Sequence, residues 1–163
     1  MSSDRLYNLS LDYFNGNGVE KDLKQSFSLN AQAAESGQHD AVLAMGWYYL
    51  NGCGISKDIN MSKLWYRKSA RQGNSSAMFS LGQIAYVEKD SSAVTWFQRA
   101  LKAGHPRSVF WLGKLYWHGQ CVDKDKKKAM QLFTEAARKK VKEAQRTLRW
   151  INKRNTQRIG RAN

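Results

Sequence analysis

Between Ala41 and Ser76 the apolar positions fall into two short helical runs joined by a glycine-bearing loop. Ala41, Met45, Gly46 and Tyr49 make one face at the spacing of a helix. After the loop NGCGISKD a second face is expected through Met61, Leu64, Trp65 and Ala70, with Gly73 ending it. Neither helix could bury its apolar face alone, so such a pair needs copies of itself on either side.

The copies are present. A shift back of 36 residues lays Tyr13 to Asp22 over Tyr49 to Asp58, and Ala33 to Gly37 over Ser69 to Gly73. Forward, Ala77, Leu81 and Gly82 restart the pattern, and Trp96 to Ala100 matches Trp65 to Ser69 after only 31 residues. The loss falls in the loop, where YVEKDSS replaces YLNGCGISKD. A fourth copy carries Leu112, Gly113, Tyr116 and Gly119, then Ala129, Leu132, Phe133, Ala136 and Ala137. A fifth opens at Ala144 and holds a single helix to about Arg154. The expected repeats are therefore about 4–40, 41–76, 77–107 and 108–143, with a closing helix at 144–154 and a basic, fraying tail at 155–163.

With one proline in 163 residues and no strand-like alternation, the chain reads as all-α and as one repeat array. No apolar run approaches the roughly 18 residues of a membrane span, and the N-terminus lacks the uninterrupted apolar core of a secretory signal. Cys53 and Cys121 lie in the loops of different repeats, which argues against a disulfide framework and for a reducing, cytoplasmic setting. The more polar second helix of the first repeat, QSFSLNAQAA, suits the end of an array. In the fourth repeat Lys140 replaces the helix-ending glycine, so a tighter turn or a longer helix is expected there.

Charge changes the picture. The net charge is +14, and the stretch from Cys121 to Asn163 holds 14 Lys/Arg against 4 Asp/Glu, or +10 of it. Clustered like charge costs stability and steers anionic partners to that end. Asp22, Asp58 and Asp125 precede second helices as expected N-caps. Gly46, Gly82 and Gly113 stand mid-helix, where glycine is tolerable if a paired helix comes close.

The order Ala, Leu-Gly, Tyr, Gly-x-Gly-Val/Ile, Lys-Asp, Trp-Tyr/Phe, Ala-Ala, Gly resembles the Sel-like repeat, a relative of the tetratricopeptide repeat with a longer loop. Ala41, Met45-Gly46, Tyr49, Gly52, Gly54, Ile55, Asp58, Trp65-Tyr66 and Gly73 carry it best. The fourth repeat matches at Leu112-Gly113, Tyr116, Gly119, Val122, Asp125 and Ala136-Ala137. The first has Ser10 for the helix glycine, and the third lacks the loop glycines. The resemblance covers about residues 4–154 and implies a right-handed α-solenoid that holds other proteins without catalysis.

In such arrays the first helix of each repeat lines a concave groove. Projected here, that places Tyr7, Leu11 and Phe14, then Leu43, Trp47 and Leu50, then Phe79, Gln83 and Tyr86 in the groove. Phe110, Lys114 and Trp117 follow, then Arg146, Trp150 and Lys153. Leu43, Phe79 and Phe110 fit burial between helices equally well. Arg138, Lys139, Lys140 and Lys142, continued by Arg149 and Arg154, form a basic patch.

The chemistry of sites is thin elsewhere. The Gly-x-Gly loops follow helices and recur with the repeat, so they do not read as phosphate-binding loops. His118 and Cys121 are too few for a zinc site, no Ser or Cys is paired with a base, and neither enzyme, cofactor nor small-molecule ligand is expected. The residues point to an adaptor that binds an acidic protein through aromatic anchors and Lys/Arg complements, as a sequestering regulator or immunity protein would. RNA or single-stranded DNA on the same aromatic and basic surface is the alternative.

Overall fold

The computed structural model describes residues 1–159, apart from the side chains of Asn155, Thr156, Arg158 and Ile159. Among the described residues there are nine helices and no strand. They are α1 (Ser3–Asn15), α2 (Leu23–Glu35), α3 (His39–Asn51), α4 (Ile59–Arg71), α5 (Ser75–Val87), α6 (Ser92–Lys102), α7 (Ser108–His118), α8 (Lys126–Arg138) and α9 (Lys142–Ile159). The chain divides into two compact halves, Met1–Leu81 and Gly82–Asn163, the division falling inside α5.

Helix pairs close because one small residue lets one ring approach. A Cβ on Gly46 would lie 2.5 Å from the Tyr66 ring; on Gly82 it would lie 2.6 Å from Phe97, and on Gly113 2.7 Å from Phe133. Real side chains cannot make such contacts, so each ring packs on bare helix backbone, which offsets glycine's helical cost of about 1 kcal/mol. In the first repeat the pair is Ser10 and Asn30, both fully buried. Asn30 instead donates from Nδ2 to the Ala41 carbonyl, at 3.0 Å.

The buried face of α4 differs from the expected one. Ser62, Tyr66, Ser69 and Ala70 point inward, while Leu64 is 58% exposed and Met61 and Trp65 are half-buried. Ser62 Oγ donates to the Gly46 carbonyl at 2.7 Å, as Ser26 Oγ donates to Ser10 one repeat earlier, also at 2.7 Å. Small hydroxyl side chains thus hold the close helix contact, which sets the inward face one to two positions away from the large apolar residues.

The loops repeat bond for bond. Gly52 and Cys53 both donate to the Tyr48 carbonyl (2.8 and 3.1 Å) and Asp58 donates to Tyr49 (2.9 Å). Gly16, Asn17 and Asp22 make the same set with Asp12 and Tyr13, and Gly119, Gln120 and Asp125 with Leu115 and Tyr116. Asp22, Asp58 and Asp125 cap their helices as expected, accepting from backbone N–H groups. The glycine-free third loop turns through Lys89 at φ 57° instead. Lys140 likewise takes φ 61° where Gly37, Gly73 and Gly104 take 87–88°. The fourth turn is therefore neither tighter nor preceded by a longer helix: Val141 donates to Ala136 as Gln38 does to Ala33, each at 3.0 Å. Helix α9 carries helical backbone through Ile159, into the stretch expected as tail; of that stretch, Gly160 to Asn163 lie outside the described residues.

Candidate interaction surfaces

In the N-terminal half a hollow of about 380 Å³ lies against α1 and α3. Tyr7, Leu11 and Phe14 line it from α1, and Asp40, Leu43 and Trp47 from α3. Two small residues, Ala44 and Ser80, leave the space open, and the Tyr48 and Tyr66 rings border it as well. Trp47 is 40% exposed, and Leu43 and Leu50 are half-buried. Leu50 is not among the residues bordering the hollow.

Two of the phenols bordering this hollow are hydrogen-bonded, Tyr48 to Ser26 and Tyr66 to Ser80. Tyr48 OH shares a 2.5 Å hydrogen bond with Ser26 Oγ. Burial pushes the Tyr48 and Tyr66 phenols up, against the opposing pull of hydrogen bonds from Ser26 and Ser80. Tyr7 is pushed up too, by burial first and then by the negative charge of Asp40.

In the C-terminal half, α7 and α9 border a second hollow, of about 430 Å³. Here five residues expected from the sequence meet: Phe110, Lys114 and Trp117 from α7, Arg146 and Trp150 from α9. Phe110 and Phe133 border it while themselves being 8% and 1% exposed; Phe79 is buried too, so Phe79 and Phe110 are chiefly core residues. Lys114 Nζ sits 4.1 Å from the Trp111 ring centre and 4.9 Å from that of Tyr86. Burial lowers its pKa, because a desolvated ammonium loses hydration that the ring faces only partly replace. Trp111 stacks on Phe97 with centroids 5.6 Å apart; it fills the position that Ala44 and Ser80 hold in earlier repeats. Gln83 and Tyr86 are half-buried and border neither hollow. Trp111, Tyr48 and Asp40 are not among the residues the sequence projects into the groove; the register that lays Lys114 over Trp47 points to Tyr48 as the chain neighbour of Trp47 and to Trp111 as one turn before Lys114.

Beyond this hollow the surface is cationic. Arg138, Lys139, Lys140, Lys142, Arg149, Lys153 and Arg154 are all exposed. Trp150 is 52% exposed with the Arg154 guanidinium 4.7 Å over its ring. Residues 1–81 carry 8 Lys/Arg against 7 Asp/Glu, a net of +1; residues 82–163 carry 19 against 6, a net of +13. No helix among the described residues is long and apolar enough to cross a membrane.

The repeat geometry has a name in known proteins. A model of the Sel1 repeat matches residues 6–38, 39–74, 75–105 and 106–141. The chain belongs to the Sel1 repeat family. Its fold is accordingly an all-α solenoid of about four and a half Sel1 repeats. A Sel1 repeat protein from Oxalobacter formigenes is similar at 32% identity and a TM-score of 0.80, over 88% of this chain and 61% of that one. A protective antigen of uropathogenic Escherichia coli strains with an SLR fold is similar at 28% identity and a TM-score of 0.81, over 94% of this chain and 34% of that one. The chain thus spans about a third and three fifths of those two chains. An immunity protein from Pseudomonas aeruginosa shares the fold at 19% identity and a TM-score of 0.60, over 87% of this chain and 55% of that one. No curated protein matches the sequence. Sel1 repeat proteins are generally non-catalytic scaffolds for protein interaction.

Proposed function

We propose that this Sel1 protein is a cytoplasmic, non-catalytic adaptor that captures an acidic protein partner. The observation that carries the reading is the hollow where Lys114 and Arg146 meet Trp117 and Trp150. Two like charges share one partly dry space, and Lys114 already bears a desolvation cost. An incoming carboxylate offsets that cost, while the indole rings receive the apolar part of the same segment. The exposed cations from Arg138 to Arg154 extend the attraction and speed encounter.

A sequestering regulator is the form of adaptor that a cationic surface beside aromatic anchors suits, and the immunity protein of like fold supports that form. Nucleic acid remains the second reading, because Trp150 under Arg154 is the kind of platform on which single-stranded bases stack.

A tagged pull-down at physiological salt, divided into nuclease-treated and untreated halves, tests the proposal. A discrete acidic protein that survives nuclease and is lost with Trp117→Ala and Lys114→Ala is expected. A heterogeneous set that vanishes with nuclease, and whose affinity drops steeply between about 50 and 200 mM salt, overturns it for the nucleic-acid reading.

A further inference from the structure

The rings of the C-terminal half carry the chain's own cations. Lys114 lies over Tyr86 and Trp111, Lys126 lies 5.5 Å from Trp117, Lys128 4.1 Å from Tyr116, and Arg154 4.7 Å from Trp150. In the N-terminal half Lys21 lies 5.6 Å from the Phe14 ring centre and Lys68 4.8 Å from that of Trp65, yet no lysine or arginine stands on the lining of the hollow itself. In the repeat register the contrast is direct, for Trp47 occupies the position that Lys114 occupies in the fourth repeat.

We propose that the hollow of the N-terminal half is a seat for one cationic side chain, a lysine or arginine of a protein partner. Phe14, Trp47 and Tyr48 stand nearly at right angles to one another, with interplanar angles of 75°, 88° and 79°. Their centroids are 5.5, 6.2 and 5.7 Å apart. Trp47 is the most exposed of the three at 40% and Tyr48 the least at 3%, and a cation within about 6 Å of a ring centre gains from the ring quadrupole. All three rings border the hollow.

The field inside has the matching sign. Asp40 is the one charged side chain on the lining, and it forms no ion pair among the described residues. Its negative charge already reaches the Tyr7 phenol in the same hollow. At the register position of Asp40 the fourth repeat has Arg107, whose guanidinium pairs with Glu143 of α9. The acid of the N-terminal half has no such basic counterpart, and an incoming cation supplies one. Ala44 and Ser80 provide the room that Trp111 takes up in the other half.

This seat is independent of acidic capture by the other half, so either can fail with the other intact. The test uses the full chain and two probes: acetyl-trimethyllysine amide and its neutral isostere, with carbon in place of the ammonium nitrogen. Binding is followed by NMR at the Trp47 indole N–H, assigned by its disappearance in Trp47→Phe. The cation should shift that resonance saturably and bind about fivefold or more tighter than the isostere. Asp40→Asn should weaken the cation by about threefold and leave the isostere unchanged. Equal binding of the two probes would make the hollow merely apolar and overturn the proposal. So would the absence of any Trp47 shift with the cation at concentrations that shift Trp150.

Discussion

The two halves use one repeat pattern and fill it with different chemistry. In the N-terminal half, hydroxyl and amide groups take part in the close contacts: Ser10, Ser26, Asn30, Ser62 and Ser69 are all fully buried. In the C-terminal half the register positions of Ser26 and Ser62 are Ala93 and Ala129, and those of Asn30 and Tyr66 are Phe97 and Phe133. The same backbone therefore adds buried hydrogen bonds to its ring packing in one half and relies on ring packing with alanine beside it in the other. The outer surfaces divide likewise, +1 against +13. A repeat scaffold fixes where positions lie and leaves the chemistry at each one free to change.

The largest effect should come from removing the ring at the centre of the apolar half. Phe133→Ala should cost about 3–5 kcal/mol, because Gly113 leaves nothing that could fill the space. Asn30→Ala, at the matching position of the first repeat, should cost less, about 0.5–1.5 kcal/mol, by removing the hydrogen bond from Nδ2 to the Ala41 carbonyl. Urea unfolding of both variants would give the ranking. Equal losses would mean that the two halves are not held differently.

Charge should separate the halves next. If the proposed acidic partner binds there, Lys114→Ala or Arg146→Ala should each weaken its capture by about tenfold, while Asp40→Ala leaves it unchanged. Titration of the purified partner by calorimetry would decide. A comparable loss from Asp40→Ala would put the acidic segment in the wrong half.

Much of the architecture was legible because glycine, aspartate and the small-large alternation recur at 36 and 31 residues. Gly46, Gly82 and Gly113 announced close helix contacts, and Asp22, Asp58 and Asp125 announced caps, since each solves a local backbone problem. The inward face of α4 was not legible. Ser62 and Ser69 look polar in sequence and are buried because they reach a neighbouring carbonyl or sit where only a small side chain fits. The site was half legible: Lys114, Trp117, Arg146 and Trp150 converge, whereas the role of Trp111 depends on Phe97 packing against it. The repeat register marks Lys140 as standing where glycine ends the other helices, but lysine's preference for negative φ hides that it keeps the same left-handed turn.

That turn gives a smaller prediction. Lys140→Gly should stabilise the chain by about 1 kcal/mol by relieving left-handed strain, and Gly73→Ala should destabilise it by a similar amount. Shifts of Tm in opposite directions would confirm that one turn serves both halves. Lys140→Gly without any gain would mean that lysine is accommodated there free of strain.

The smallest effect should be on acid sensitivity, and it belongs to the C-terminal half. Burial lowers the His105 pKa from its usual 6.5, and the positive charge of Arg107 lowers it further. The Ser108 hydroxyl lies 3.3 Å from Nδ1. An imidazole with a depressed folded pKa takes up a proton more readily in the unfolded chain. Its contribution to stability is therefore complete above pH 6.5, is lost as pH falls from 6.5 toward the depressed value, and changes no further below it. His105→Gln should flatten the urea midpoint across that window. Arg107→Gln should flatten it only in part, because burial, the larger cause, is left in place. If Arg107→Gln removed the whole slope, charge and not burial would govern His105, and the acid response would track the cationic surface that distinguishes this half from the other.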